Sequence, residues 1–230
     1  MTKDLFQAPG PSRRTRGGVR VLREQRSKMK LILASASPRR AEILRNAGIQ
    51  FEVRATDVDE SRLTGEVPGD YVRRLALAKA LSAATEYRDS RDEALVLGAD
   101  TVVVVDADIL GKPASQDDAR SMLRRISGRM HEVHTGLALV RAPGTMQRVV
   151  EEITRVHFAS LTEREIEDYI ATGEAFDKAG AYAIQGIAGR YVSRIEGCYF
   201  NVMGLPLARL WSLLRELGGQ NSMGAQMGAK

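Results

Sequence analysis

The chain has 230 residues, 43% hydrophobic and 27% charged, enough apolar content for a full core and too much for a disordered chain. A single cysteine, Cys198, excludes an internal disulfide framework and a multi-cysteine zinc site, and no apolar run approaches the roughly 20 residues of a membrane helix. The formal charge of +5 sits at the start: residues 1–28 hold eight Lys and Arg against two acids, a balance of +6, leaving −1 for residues 29–230.

Residues 1–28, with Pro9-Gly10-Pro11 and the Arg13–Arg16 run, read as a flexible basic leader. The first predicted strand is Leu31–Ala34, an apolar run that turns at Ser35-Ala36-Ser37-Pro38 into a helix over 38–47. Ser37 is its expected N-cap, Pro38 its first helical residue and Gly48 its stop. Phe51–Ala55 reads as a strand, and Tyr71 to about Tyr87 as a helix with Tyr71, Leu75, Ala78 and Leu81 near one face. Strand character returns over Ala94–Gly98 and Thr101–Val105, on both sides of Asp100. A capped helix over Ser115–Ile126 follows, then strands over Glu132–Arg141 and Gln147–Ser160 joined at Ala142-Pro143-Gly144 as a hairpin. Thr162-Glu163-Arg164-Glu165 is a capping box opening a helix to Ala171. The last helix, near 205–217, has a stripe of Leu207, Leu210, Trp211, Leu214 and Leu217, and residues 219–230 read as a flexible tail. The order predicts a folded α/β domain over 29–218 with some antiparallel strands.

Four places can carry chemistry. A strand running into Ser35-Ala36-Ser37 and a helix start leaves N–H groups pointing outward, an anion site that Arg39 and Arg40 can reinforce. Asp100 is a carboxylate within an apolar strand run, which is costly unless it is paired, metal-bound or facing a cleft; it is a candidate base or metal ligand. Gly98 and Ala99 beside it leave room for a ligand to approach the backbone. Asp57-Val58-Asp59-Glu60 offers oxygen ligands for Mg²⁺, and Lys79 and Lys112 can supply charge. Finally, Gly180, Gly186 and Gly189 mark a loop that packs closely on something, and Gln185 within it has the donor and acceptor needed to read a nucleobase edge.

Absences narrow the field. There is no P-loop and no Gly-x-Gly-x-x-Gly. His131 and His134, three apart on a strand, point to opposite faces and make a poor metal pair. His157 has no evident partner. No Gly-x-Ser-x-Gly elbow supports covalent catalysis. A polynucleotide binder would spread positive charge over its body, so neither nucleic acid nor membrane is an expected partner; a cytoplasmic protein is expected, and a homodimer is compatible with the sequence.

Four co-linear blocks, Leu33–Arg40, Leu97–Val103, Asp177–Tyr182 and Val202–Leu207, resemble the Maf family of nucleoside triphosphate pyrophosphatases, with the resemblance running from about Lys30 to Gly218. It implies a mixed central sheet flanked by helices, with a cleft between two lobes as in inosine-triphosphate pyrophosphatases. It also implies metal-dependent (Mg²⁺ or Mn²⁺) cleavage between the α and β phosphates. Carried over residue by residue, Asp100 would activate water, and Ser35, Arg39, Arg40, Lys79 and Lys112 would hold the triphosphate. Glu60 would join Asp100 at the metal. Arg39, Thr101 and Gln185 resemble the branch acting on dTTP and UTP. The alternative is a nucleotide-binding regulator of septation that acts through partners.

Overall fold

The computed structural model describes residues 29–90 and 92–218; the expected leader and tail lie outside them. The strands are β1 (Lys30–Ala34), β2 (Glu52–Val53), β3 (Ala94–Val105), β4 (Asp108–Leu110), β5 (Met130–Ala142), β6 (Gln147–Phe158) and β7 (Val192–Glu196). The helices are α1 (Pro38–Asn46), α2 (Pro68–Ala84), α3 (Gln116–Ile126), α4 (Glu163–Ala171), α5 (Tyr199–Val202) and α6 (Leu207–Gly218). The strands form one seven-stranded sheet in the order β2-β1-β3-β5-β6-β7, with β4 added to the free end of β3. It is mixed, as expected: β1 runs parallel to β2 and β3, while the other pairs are antiparallel.

Strand β3 organises the molecule because its side chains alternate between two different layers. Ala94, Val96, Val102 and Val104 face α2, which runs along that side of the sheet. Leu95, Leu97 and Ala99 face α1 and α6, whereas Val103 and Val105 face α3 and α4. The second face is therefore covered by two separate helix pairs, and the cleft lies between them and reaches through a gap at the β3 edge to Lys79 and Asp100 on the α2 side. On its β5 edge β3 is paired continuously from Ala94 to Val104. On the opposite edge, β1 pairs only as far as Gly98 and pairing with β4 begins at Val103. Among the described residues no strand pairs with 99–102 there, so Asp100 and Thr101 sit at a gap in the sheet rather than in a turn between two strands.

Glycine sets the depth of α2. A Cβ on Gly98 would overlap the Ala76 carbonyl oxygen and stand 2.8 Å from Ala80 N, and one on Gly136 would overlap the Val72 carbonyl. Gly98 thus makes room for a helix, not for a ligand as its sequence suggested. This close approach also corrects the predicted face of α2. The buried residues are Val72, Leu75, Ala76, Lys79, Ala80 and Ala83, while Leu81 is exposed. Small side chains, not the bulkiest ones, fit a helix pressed this close to a sheet.

Other elements follow their local signals. Ser115 caps α3 by accepting from Asp118 N at 3.1 Å, and Thr162 and Glu165 form the expected capping box. The β5–β6 hairpin turns at Ala142–Pro143–Gly144. In α6, Leu210, Leu213, Leu214 and Leu217 are buried and Trp211 is not, one position around from the predicted stripe. The predicted strand over Phe51–Ala55 shrinks to Glu52–Val53, a short edge beside β1.

The two histidines of β5 point to opposite faces, as expected. His134 Nδ1 lies 2.7 Å from Glu151, whereas His131 packs edge-on to Tyr182 with Nε2 2.8 Å from its hydroxyl. His157 does have a partner, Glu196 at 3.1 Å across the β6–β7 pair. Burial, helped by the charge of His157, pushes His131 down from its ordinary 6.5 to about 4. The unfolded chain therefore binds a proton that the folded chain refuses, and stability should fall as the pH drops through 6.5, levelling off below about 4. The loss should reach about 3 kcal/mol. His131→Gln, which keeps a hydrogen-bonding side chain but does not titrate, should flatten that part of a denaturant-midpoint profile; an unchanged slope would locate the acid sensitivity elsewhere.

Candidate active site

The gap in β3 opens into a cleft of about 440 Å³. Its wall collects every residue to which the family resemblance gives a role: Ser35, Arg39, Arg40, Glu60, Lys79, Asp100, Thr101, Lys112 and Gln185. The elements bring them from different directions. Ser35 lies where β1 ends, at the carboxyl end of a parallel strand, and Arg39 and Arg40 form the first turn of α1. Lys79 comes from the buried face of α2 and Glu60 from the loop before it. Lys112 follows β4, and Gln185 sits on the loop between α4 and β7.

Asp100 is on the α2 face of β3, 8% exposed, and its Oδ1 accepts from Lys79 Nζ at 2.7 Å. The same ammonium lies 2.6 Å from Glu60 Oε1, so one buried cation joins the two carboxylates. Of the acidic run Asp57–Glu60, only Glu60 lines the cleft; Asp59 instead accepts from Ser61 N at 2.8 Å. The Glu60 loop is tied to α2 below it. Tyr71 donates to the Glu60 carbonyl at 2.8 Å, and Arg74 grips the almost fully buried Glu66 carboxylate through two bonds of 2.6 and 2.8 Å. That grip holds Glu66 down to about 2.

Thr101 faces the other way, into a buried relay. Arg40 donates from Nε to the Gly204 carbonyl at 2.8 Å, from Nη1 to Ser35 Oγ at 3.1 Å and from Nη2 to Thr101 Oγ1 at 3.0 Å. Thr101 meets Thr135 Oγ1 at 3.0 Å, and Thr135 donates to the Asn201 carbonyl at 3.2 Å. With its oxygen engaged by Arg40 and Thr135, Thr101 is placed to hold Arg40 in line. Burial, with Arg39 alongside, lowers the pKa of Arg40, and the charge of Asp100 opposes that shift. Its three bonds leave two of five N–H donors for a ligand.

Ser35 is set up differently. Its Oγ accepts from Arg40 and from Ser37 N at 3.2 Å, which leaves its own hydrogen to donate outward. Ser37 occupies the N-cap position of α1 but makes no side-chain cap. At the mouth, Arg39 crosses the cleft to Asp177, with Nη1 3.0 Å from Oδ2 and Nη2 3.2 Å from the carbonyl. Lys178 also pairs with Asp177 and lines the cleft. The sequence alone assigns Lys178 no role; the signal that marks it is its place after Asp177 at the head of a Gly-rich loop. Gly180, at φ +68°, lies close against Val103, so this loop does pack tightly. Lys112 makes no ion pair and Gln185 no side-chain hydrogen bond among the described residues.

Five cations and three carboxylates thus face one cavity, with each carboxylate already bridged to a cation. This is the electrostatic pattern of a site for a polyanion that also keeps one acid–base carboxylate within reach. Fold and site define a mixed α/β protein with a cationic cleft at a break in its sheet. The chain belongs to the Maf-like protein family, whose match covers residues 30–217. Similar relatives include proteins named dTTP/UTP pyrophosphatase. The one from Geotalea uraniireducens is 52% identical over 194 residues, 84% of this chain and 97% of that one. The one from Hahella chejuensis is 50% identical over 189 residues, 82% of this chain and 92% of that one. Among solved structures, the Staphylococcus aureus Ham1 protein aligns with a TM-score of 0.43 at 13% identity, covering 81% of this chain and 98% of that one. A Mycobacterium abscessus nucleoside-triphosphatase/dITP/XTP pyrophosphatase aligns with a TM-score of 0.36 at 16% identity, covering 84% and 99%. Among the described residues no helix is long and apolar enough to cross a membrane.

Proposed function

We propose that this chain hydrolyses dTTP and UTP between the α and β phosphates, releasing the monophosphate and pyrophosphate in the cytoplasm. The observation that carries the reading is Asp100 at the break in the sheet, in one cleft with Arg39, Arg40, Lys79, Lys112 and Lys178. About 440 Å³ falls within the usual range of small-molecule sites. The names carried by relatives sharing about half their residues with this chain support the same substrate class.

The chemistry follows from what each group has left to offer. Asp100 Oδ1 is held by Lys79, so its other oxygen is the one available to take a proton from water. That water oxygen bonds to the α phosphorus as the bond from the α phosphorus to the bridging oxygen breaks, and pyrophosphate leaves with the electron pair. Lys112, Lys178 and Arg39 stabilise the charge that builds on it, and Ser35 donates its free hydroxyl hydrogen to a phosphate oxygen. A nucleotide entering the mouth competes with Asp177 for Arg39 and Lys178.

Glu60 and Asp100 fit a divalent cation, since both already share one ammonium. Two carboxylates are what Mg²⁺ uses when substrate phosphates supply further ligands. No cluster of three or more His, Cys, Asp or Glu residues suited to a metal occurs among the described residues. Such an ion would supply Lewis-acid stabilisation at the phosphates.

Product analysis tests the reaction. With MgCl₂ or MnCl₂, dTTP and UTP should yield pyrophosphate and the monophosphate; orthophosphate as the sole released phosphate would overturn the cleavage site. Gln185, exposed at the cleft with a free amide, is the reader of the base edge. Gln185→Ala should lower the preference for UTP over CTP by about 10- to 100-fold, with a smaller loss of kcat on UTP. An unaltered ratio would remove Gln185 from that role.

A further inference from the structure

Gln185 cannot orient itself. Its amide has no hydrogen bond among the described residues, so its position comes entirely from the backbone beneath it. That backbone is fastened to a side chain outside the triphosphate site. The Glu174 carboxylate accepts from Ile187 N at 3.0 Å and from Ala188 N at 3.5 Å, and Tyr169 donates its hydroxyl to it at 2.9 Å. Tyr169 is fully buried in the α3–α4 core, so the carboxylate is tied to a packed side chain of that core. Gly186 closes over it from the other side: a Cβ there would overlap the carboxylate oxygens. The loop then turns through Gly186 N to the Ala183 carbonyl and Gly189 N to the Gly186 carbonyl, both at 3.1 Å. Glu174 also lines a smaller cavity of about 220 Å³ that shares Arg39, Asp177, Lys178 and Gln185 with the main cleft.

We infer that Glu174 is a positioning residue for base selection: its carboxylate fixes the 185–188 backbone and thereby aims the Gln185 amide. The inference rests on the reading of Gln185 as the base-contacting group, and adds to it the element that makes the contact selective. A flexible Gln185 would meet a uracil or a cytosine edge equally well by turning its amide over, since it carries both a donor and an acceptor. A fixed backbone limits that freedom and converts one hydrogen-bonding pattern into a preference. The carboxylate suits the task because both of its oxygens accept, whereas a carboxamide presents an oxygen on one side only.

Glu174→Gln keeps the volume and gives up one acceptor. The expected result is a fall of about tenfold in the kcat/KM ratio of UTP to CTP, carried by KM for UTP while kcat stays near the unmodified protein's value. The Ile187 and Ala188 amides should exchange hydrogen faster. Combined with Gln185→Ala, it should reduce the ratio no further than Gln185→Ala alone. Gly186→Ala, which forces a methyl group against the carboxylate at a backbone conformation alanine tolerates, is the second variant should Glu174→Gln fail to fold, and it should lower the ratio in the same direction. An unchanged ratio despite faster amide exchange, or an equal loss on both nucleotides, would make Glu174 a structural anchor only and overturn the inference while leaving the activity intact. A full-length wild-type chain that shows no preference between UTP and CTP would instead sink the reading of Gln185, and this inference with it.

Discussion

Asp100→Asn is expected to reduce pyrophosphate release from dTTP or UTP by about 10³-fold, in the range usual for removing a positioned general base. The substitution is nearly isosteric, and Asn Oδ1 can still accept from Lys79, so the sheet and α2 should keep their places. Asp100 is paired with Gly136 in the middle of a continuous β3–β5 ladder, which does not depend on the side chain. What is lost is the second carboxylate oxygen, proposed above as the proton acceptor, and one negative charge beside Lys79. The defect should therefore appear in kcat, with thermal unfolding close to that of the unmodified protein and nucleotide still bound. Affinity for the nucleotide without added metal should rise, because removing a carboxylate lowers repulsion against the phosphates. Turnover within tenfold of the unmodified protein would show that another group accepts the proton, and Glu60, joined to Asp100 through Lys79, would be the next to test.

Much of this arrangement was legible because it is local. The turn from β1 into α1, the caps of α3 and α4 and the β5–β6 hairpin each have their determinants within a few residues. Asp100, Glu60, the arginines and the lysines were legible one by one as charges, and Ser35 and Gln185 as polar groups in a turn and a Gly-rich loop, whereas Thr101 stood out only through the family resemblance. Their assembly was not, since it depends on where strands stop. Nothing near Asp100 in the sequence states that β1 ends opposite Gly98 and β4 ends opposite Val103, yet that register makes the cleft. The same limit hid the Arg40–Thr101–Thr135–Asn201 relay, whose members come from α1, β3, β5 and α5. It also reversed the meaning of Gly98. A glycine beside an acidic residue suggested room for a ligand, but the neighbour it admits is a helix 22 residues earlier in the chain, at Ala76. The face of α2 was misjudged for the same reason: hydrophobic bulk predicts burial against an ordinary layer, whereas this layer is close enough to select alanine.

That contact is the source of the largest loss of stability expected from a single substitution. Gly98→Ala should destabilise the protein by about 3 kcal/mol, at the upper end of what a single added methyl costs in a packed interior. The reason lies in what the methyl meets. A flexible side chain could turn aside, but the Ala76 carbonyl and Ala80 N belong to the backbone of α2, and the helix as a whole must lift. It cannot lift by tilting alone, since Gly136 holds the Val72 turn against β5 one turn earlier. Lifting α2 also carries Lys79 away from Asp100, a contact of 2.7 Å with little slack. Activity in the folded fraction should consequently fall along with stability. Gly111→Ala, at a position where a Cβ meets nothing within 4 Å, is the matching control for stability and should leave the unfolding midpoint close to that of the unmodified protein. Urea unfolding followed by circular dichroism would measure both variants. An unfolding midpoint unchanged by Gly98→Ala would mean that α2 is not pressed against the sheet at this point. Lowered stability with undiminished turnover would mean that the Lys79–Asp100 pair tolerates a displaced helix, separating the packing of α2 from the chemistry at the break in β3.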